Sequence, residues 1–411
     1  MKVLLVFGTR PEAIKLAPVI RELKIARAQQ EGSAAVPAAL GCAPTVRVCV
    51  TAQHREMLDQ VLRLFDITPD HDLHVMESNQ TPTQVASAVL ARLEPILAVE
   101  RPDWVVVQGD TTTVAAAAIA AFYARTKVAH VEAGLRTRDK WRPFPEEMNR
   151  RVAGALADLH LAATEGARRN LQAEGVPPDR ILVTGNPVID ALQWAAAMSP
   201  TPEVQALLRQ AGVGEEEQRS RGAEGRAPLP PGPPAPRLLF VTAHRRENFG
   251  APLEQICLAL REIADRYAGG VRVLYAVHLN PNVWDPVHRL LEGHPHILLT
   301  PPLDYLATVH LVKGAALVLT DSGGLQEEAP SLGKPVLVLR EVTERPEGVE
   351  AGTARIIGTT RGHIVAEAVR LLDDPAAYAA MSTAVNPYGD GKASGRIVRA
   401  LLEHGPSTRT T

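Results

Sequence analysis

Three acidic residues, Asp110, Glu132 and Glu146, stand where a short apolar run ends or a helical run begins. Asp110 lies in Gln108-Gly109-Asp110-Thr111-Thr112-Thr113, directly after Trp104–Val107. Glu132 lies in His130-Val131-Glu132-Ala133-Gly134-Leu135-Arg136, and Glu146 in Pro145-Glu146-Glu147, with Arg150 and Arg151 one turn later. Carboxylates converging from separate loops are the set that general acid–base chemistry uses. Which of the three is the base stays open. So does a plainer role, with Asp110 as the N-cap of a helix over Thr111–Ala121. On that alternative Glu146–Arg150 and Glu147–Arg151 are ordinary pairs four residues apart.

A second group suits an anion. Gly8-Thr9-Arg10-Pro11-Glu12-Ala13-Ile14-Lys15 follows the first strand, yet it has neither the Gly-x-Gly-x-x-Gly spacing nor the Walker pattern. Arg10 can instead grip a phosphate bidentately, with Lys15 a turn behind; the alternative is two solvated surface cations. Thr320-Asp321-Ser322-Gly323-Gly324 joins an apolar run to a helical one, and its small side chains let a phosphate approach the backbone at a helix start. Glu328, about a turn further on, can accept hydrogen bonds from hydroxyls, which fits a sugar-bearing phosphate. Arg345, in Thr343-Glu344-Arg345-Pro346-Glu347, adds a cation near that turn. His244, in Thr242-Ala243-His244-Arg245, closes another strand and can bind phosphate or protonate a departing group. His278 has the same placement after Val271–Val277. These residues together point to a nucleotide-sugar site.

The elements that must carry them alternate. Strand-like runs are Val3–Phe7, Val46–Thr51, Trp104–Gln108, Val128–Val131, Leu159–Ala162 and Ile181–Thr184. Helical patterns lie between them, including Glu12–Lys24, Arg55–Phe65, Thr83–Val99 and Glu146–Leu156. A break at Met198–Pro202 and a proline-dense stretch, Gly214–Pro236, precede a second set: Leu238–Thr242, Val271–Val277, Ile297–Leu299, Leu317–Thr320, Val336–Leu339 and Ala354–Ile357. The expected fold is α/β, with two Rossmann-like doubly wound domains facing a cleft. Residues 1–197 form the sugar and acid–base side, and 198–385 the nucleotide side. Residues 386–411 supply a last helix that packs back on the first domain. The Ala-rich stretch Ala26–Ala43 and the stretch Gly214–Pro236 read as insertions.

Bulk properties narrow the class. The chain has 411 residues and a formal charge of −2, so it carries no basic footprint for nucleic acid. Its three cysteines, Cys42, Cys49 and Cys257, are too few and too scattered for a disulfide framework or a zinc site, and no other metal-ligand cluster is visible. Reduced, buried thiols suit a cytoplasm. The apolar start Met1–Phe7 is too short for a signal peptide, and the Ala-rich Val114–Ala124 is about half a membrane span, so no membrane insertion is expected.

Read in order, Gly8–Lys15, Thr51–Gln60, Gln108–Thr113, His130–Thr137, Pro143–Arg150, Thr242–Asn248, Asp321–Lys334 and Glu344–Glu347 resemble the non-hydrolysing UDP-N-acetylglucosamine 2-epimerases. The matches span nearly the whole chain apart from the two insertions and the tail. The resemblance implies a fold like that of GT-B glycosyltransferases, a homodimer, and interconversion of UDP-GlcNAc and UDP-ManNAc, the latter feeding surface polysaccharides. It implies UDP contacts from Arg10, His244, Ser322, Gly323, Gly324, Glu328 and Arg345. Lys15, Asp110, Glu132, Glu146 and Arg150 would face the sugar, and Thr308 would add a contact. It also implies a second, activating UDP-GlcNAc near Gln53 and His278. Two positions depart from the family pattern: Ala307-Thr308 replaces an aromatic often found there, and Glu56 replaces a glutamine present in some relatives.

The chemistry these groups permit is constrained by the substrate. C2 of the sugar has no adjacent carbonyl, so simple deprotonation is implausible, and no nicotinamide fingerprint supports transient oxidation. Elimination is the remaining route: a base takes the C2 proton, UDP leaves C1, and 2-acetamidoglucal forms. UDP then re-adds while a proton arrives on the opposite face, with no metal or cofactor required. The rival classes are a GT-B glycosyltransferase, a hydrolysing epimerase that releases free ManNAc, and a non-catalytic nucleotide-sugar sensor.

Overall fold

The computed structural model describes residues 1–32, 43–51, 55–75, 80–213 and 236–405. Cys42, Gln53 and 214–235 thus lie outside the described residues. Contacts divide the chain into two compact units, Met1–Gln193 with Tyr388–Thr411, and Trp194–Pro387.

The first unit runs β1 (Lys2–Phe7), α1 (Arg10–Gly32), β2 (Thr45–Val50), α2 (Arg55–Leu64), β3 (His71–Asp72), α3 (Pro82–Glu100), β4 (Trp104–Gln108), α4 (Thr112–Tyr123), β5 (Lys127–Ala133), α5 (Glu146–Leu156), β6 (Leu159–Ala162), α6 (Glu165–Ala173), β7 (Ile181–Val183) and α7 (Pro187–Ala197), the last crossing into the second unit. Its strands lie in the order β3-β2-β1-β4-β5-β6-β7. All the pairs are parallel. Strands covered by helices on both faces must be apolar throughout rather than alternating, and Val3–Phe7 and Trp104–Val107 are buried at every position. The Ala-rich α4 is long enough to resemble part of a membrane span, but its small side chains serve packing: Ala116, Ala117 and Ala120 join Val89 and Leu93 of α3 and Val105 and Val107 of β4 in one core. The N-terminus of α3 is fixed by a capping box. Thr81 Oγ1 accepts the Gln84 N–H at 3.3 Å, and Gln84 Oε1 accepts the Thr81 N–H at 2.8 Å.

The second unit runs α8 (Pro202–Gln210), β8 (Arg237–Thr242), α9 (Ala251–Tyr267), β9 (Val271–Ala276), α10 (Pro281–Leu291), β10 (Ile297–Thr300), α11 (Tyr305–Gly314), β11 (Leu317–Thr320), α12 (Gly323–Glu328), β12 (Val336–Val338), α13 (Pro346–Glu350), β13 (Ala354–Ile356), α14 (Arg361–Asp373) and α15 (Pro375–Ser382). Its parallel sheet has the order β10-β9-β8-β11-β12-β13. One face packs Leu239 and Val241 on Ile256, Leu260 and Ile263 of α9; the other packs Leu238, Phe240 and Val318 on Leu311 of α11. A final helix, α16 (Ala393–Glu403), belongs to the first unit and packs on α1. Its start is held by Asp190, whose carboxylate accepts the N–H groups of Ala393 and Ser394 at 3.2 and 2.8 Å. Among the described residues no helix is long and apolar enough to cross a membrane.

Two details differ from expectation. The helix α1 continues to Gly32, so the opening of the Ala26–Ala43 stretch extends an existing helix. A two-residue strand, β3, pairs with β2 through Cys49 and Val50; its polar His71-Asp72 has no periodicity to reveal it.

Both sheets reverse their winding, between β1 and β4 in the first unit and between β8 and β11 in the second. Each unit is therefore a Rossmann-like doubly wound domain, and the loops at the carboxyl ends of those strand pairs are where such sheets bind ligands.

Two histidines in the first sheet make its stability depend on pH. His130 and His160 face each other in the β5–β6 register. Burial holds His130 down to about 3 and His160 to about 4, against an ordinary 6.5. Because their folded pKa values are depressed, the stability they contribute is present above about 6.5 and is lost as pH falls toward 4. Each histidine adds at most about 1.4 kcal/mol per pH unit to that slope. Urea unfolding of a His160→Asn variant between pH 6.5 and 4.5 should show a shallower loss than the parent chain; an equal slope would contradict this.

Candidate active site

In the first unit the site is built on the β1, β4 and β5 exits. Gly8 ends β1 where a Cβ would lie 2.0 Å from Thr51 Oγ1, so only glycine allows that approach. Glu12, 2% exposed, folds back from the first turn of α1. Its Oε2 accepts the N–H groups of Gly8 and Thr9 at 2.9 and 2.7 Å, and its Oε1 accepts the Thr111 hydroxyl at 2.7 Å. One buried carboxylate thus ties the loop bearing Arg10 to the loop bearing Asp110. Burial pushes its pKa up, outweighing the hydrogen bonds that lower it.

Thr111, not Asp110, caps α4: its hydroxyl accepts the Val114 N–H at 3.3 Å. The capping alternative for Asp110 is therefore corrected, and its carboxylate meets Arg150 Nη2 instead. Arg150 is buried and has left the helical pairing with Glu146 that its spacing suggested. Glu147 does pair with Arg151, at 3.3 Å, and is buried while accepting the Thr137 N–H at 3.0 Å. Glu146, one turn before Arg150, is half-buried on the same side of α5.

Glu132 sits at a bulge in β5, where the register with β6 shifts between Val131 and Ala133, and has φ +62°. That left-handed conformation is strained for a non-glycine residue, and such residues gather at functional sites. Its carboxylate, 3% exposed, takes both hydrogen bonds from Lys15 Nζ, at 2.7 and 2.8 Å, and further ones from Gln108 Nε2 and from Asn186 Nδ2 at 3.1 Å. His130, two residues earlier, donates from Nε2 to the Gly109 carbonyl at 2.7 Å and so steadies the turn before Asp110. Arg10, the first residue of α1, is half-buried.

In the second unit the β8 and β11 exits carry the site. Asp321, fully buried, is the counterpart of Glu12. Its Oδ2 accepts the N–H groups of His244 and Arg245 at 2.7 and 2.8 Å and Asn248 Nδ2 at 3.0 Å. Thr242 and Thr320, opposite one another in the register, join their hydroxyls at 2.8 Å. Arg345 comes close to Gly323: a Cβ there would lie 3.0 Å from the guanidinium carbon. Arg345 is oriented from below by buried Glu327, Nε to Oε1 at 2.7 Å, so its charge lies over the Ser322–Gly324 turn. Glu328 receives the Tyr305 hydroxyl at 2.8 Å. Burial and the Glu328 charge push the tyrosine well above 10, so it remains a donor. The rings of His244 and His278 stack at 5.4 Å and 15°.

The two units thus bring together Lys15, Asp110, Glu132 and Arg150 in one, and His244, His278, Ser322, Gly323, Gly324, Glu328 and Arg345 in the other. Thr308, in the first turn of α11, donates its hydroxyl to the Asp304 carbonyl at 2.8 Å. Gln53 lies outside the described residues. Sequence reasoning assigned no role to Glu12, Gln108, Asn186, Tyr305, Asp321 or Glu327. Glu12 alone had a legible signal: Thr9-Arg10-Pro11-Glu12 has capping-box spacing, with glutamate reaching back to the N-cap N–H. Among the described residues no group of three or more His, Cys, Asp or Glu side chains is placed to hold a metal ion.

Known proteins resemble the chain over its whole length. The family model described as UDP-N-acetylglucosamine 2-epimerase matches residues 42–402. A UDP-N-acetylglucosamine 2-epimerase of Yersinia pestis is 50% identical over 405 residues, covering 98% of this chain and 99% of that protein. One from Escherichia coli K12 is 50% identical over 403 residues, covering 98% of each. The crystal structure of the Neisseria meningitidis UDP-GlcNAc 2-epimerase bound to UDP-GlcNAc superposes with a TM-score of 0.80 at 42% identity, covering 98% of this chain and all (100%) of that one. The Methanocaldococcus jannaschii enzyme in complex with UDP-GlcNAc and UDP gives 0.76 at 30% identity, with coverage of 98% and 100%. Two parallel-sheet α/β units of the GT-B-like class, and full-length identity at this level, place the chain in the UDP-N-acetylglucosamine 2-epimerase family.

Proposed function

We propose that the chain interconverts UDP-GlcNAc and UDP-ManNAc at C2 without net hydrolysis, by elimination of UDP and its re-addition to 2-acetamidoglucal. The observation that carries this is the state of Asp110. Relieved of capping by Thr111, its carboxylate stands at the β4 exit beside Arg150, with Glu146 a turn away on the arginine's own helix. Glu132 differs, since Lys15, Gln108 and Asn186 all donate to it and it is almost fully buried. We assign Asp110 and Glu146 as the groups that exchange the C2 proton on opposite faces, and Glu132 as the residue that holds Lys15 toward the sugar.

In the forward step the base takes hydrogen from C2, the C2 electron pair forms the C1–C2 double bond, and the C1–O bond breaks toward the β-phosphate. Charge then grows on the diphosphate. Arg10, His244, Arg345 and the N–H groups of Ser322–Gly324 are the residues we assign to stabilise it electrostatically. Return of the phosphate oxygen to C1, with protonation of C2 from the other face, completes epimerisation. Glu328 accepts from the ribose hydroxyls, and Thr308 contributes a peripheral contact. Within the same proposal the protein works in the cytoplasm as a homodimer, and its product supplies surface polysaccharide. A second UDP-GlcNAc activates it close to Gln53 and His278.

Incubation with UDP-GlcNAc in heavy water should place deuterium at C2 of UDP-ManNAc, with glucal trapped during turnover. Turnover without solvent label would falsify proton abstraction, and free ManNAc as the main product would make the chain a hydrolysing enzyme. Asp110→Asn and Glu146→Gln should each lower kcat by about 10²–10⁴-fold with little change in KM, measured by steady-state kinetics. Equal losses in KM alone would reassign them to binding. Tyr305→Phe removes one hydrogen bond of about 1 kcal/mol, so UDP should bind roughly fivefold more weakly by calorimetry. The same change should leave 2′,3′-dideoxy-UDP unaffected; an equal loss for both ligands would deny Glu328 the ribose.

A further inference from the structure

We infer that Arg340 is a positioning residue for Arg345: it occupies the Glu344 carboxylate and so keeps that carboxylate from taking the place of the diphosphate at Arg345. This role deepens the assignment of Arg345 to the departing diphosphate and rests on it. Arg340 stands just beyond the end of β12 and is 6% exposed. A guanidinium buried to that degree must be answered by carboxylates. Its Nε donates to Glu247 Oε1 and its Nη1 to Glu344 Oε2, both at 2.6 Å. Glu247 lies in the short turn Arg246–Asn248 that follows His244, and Glu344 immediately precedes Arg345. One cation thus joins the β8 exit to the β12 exit.

The two carboxylates are not alike. The Glu247 side chain is 51% exposed and stays hydrated without a partner, whereas that of Glu344 is 23% exposed. A carboxylate so enclosed needs a cation. Glu344 Oε2 lies 4.0 Å from Arg345 Nη1, at the outer limit of an ion pair, and the much shorter bond from Arg340 holds it there. Burial would raise the Glu344 pKa, but Arg345, Arg340 and, more weakly, Arg245 bring it below the ordinary carboxylate range, so the group stays anionic at neutral pH. Without Arg340, a small rotation would bring this charge onto Arg345, where it opposes an incoming phosphate. Arg345 itself would not move. Its Nε donates to Glu327 Oε1 at 2.7 Å, its backbone N–H to Thr343 Oγ1 at 3.1 Å, and that hydroxyl donates to Gln326 Oε1 of α12 at 2.6 Å. The loop keeps these anchors when Arg340 is replaced, and only the balance of charge at Arg345 changes.

Calorimetry of UDP on the full chain separates this role from a merely structural one. Arg340→Met, similar in length and uncharged, should weaken UDP on the order of tenfold in a chain with native thermal unfolding. Adding Glu344→Gln should restore binding to within about threefold of the parent, whereas adding Glu247→Gln, the same change of charge, should leave the loss in place. In the parent, Glu344→Gln alone should alter binding less than about twofold. Equal rescue by the two substitutions would reduce Arg340 to its share of the overall charge, and rescue by neither would reduce it to packing. Either result overturns the inference, as does unweakened binding by Arg340→Met. Arg345→Met tests the underlying assignment: it should weaken UDP by itself and shrink the effect of Arg340→Met to less than about twofold. Undiminished binding by Arg345→Met would remove Arg345 from the diphosphate and the role of Arg340 with it. A loss there, with no rescue by Glu344→Gln, overturns the role of Arg340 alone. If Arg340→Met fails to fold, Arg340→Gln replaces it, with the same expected rescue and the same refutation.

Discussion

Two buried carboxylates hold this protein's chemistry in place. In each unit the strand order reverses between the first and fourth strands in chain order, and the loops leaving those strands must part to admit a ligand. Loops that part lose mutual support. Glu12 restores it in the first unit by receiving Gly8, Thr9 and Thr111, and Asp321 restores it in the second by receiving His244, Arg245 and Asn248. The two arise from different positions, one from the helix after the first strand and the other from the exit of the fourth. A buried negative charge is costly unless several donors surround it, which is why each carboxylate gathers three. The same need fixes the loops to within hydrogen-bond tolerance.

On these supports the units carry different side chains. The first presents carboxylates answered by cations, Asp110 by Arg150 and Glu132 by Lys15. The second presents a cation held from beneath, Arg345 by Glu327. In these pairs each charged group has a partner that limits where it can point. Preorganisation of this sort is what allows charge developing in a transition state to be met without rearrangement.

The strands were legible because a parallel sheet covered on both faces writes itself as apolar runs. Trp104–Gln108, Leu159–Ala162 and Leu317–Thr320 end where their composition says they end. His71-Asp72 escaped because two polar residues pair only where β2 offers them an edge. The exposed or partly exposed chemistry, Arg10, Asp110, His244 and Arg345, could be placed from strand exits alone. The supporting shell could not. Whether Arg150 pairs with Glu146 or with Asp110 depends on the loop that brings β4 and α5 together, and helical spacing is silent on that. Likewise a carboxylate in Thr320-Asp321-Ser322 looks like any turn residue until the fold brings His244 and Asn248 across to it.

Amide hydrogen exchange in a Glu12→Ala variant addresses the role of the buried carboxylates most directly. If Glu12 holds the turn after β1, the amides of Gly8 and Thr9 should exchange at least about tenfold faster than in the parent, the effect of losing roughly 1.4 kcal/mol. Val3–Phe7, deep in the sheet, should keep their protection. Unchanged exchange at Gly8 and Thr9, or a uniform rise across the whole of β1, would contradict the account.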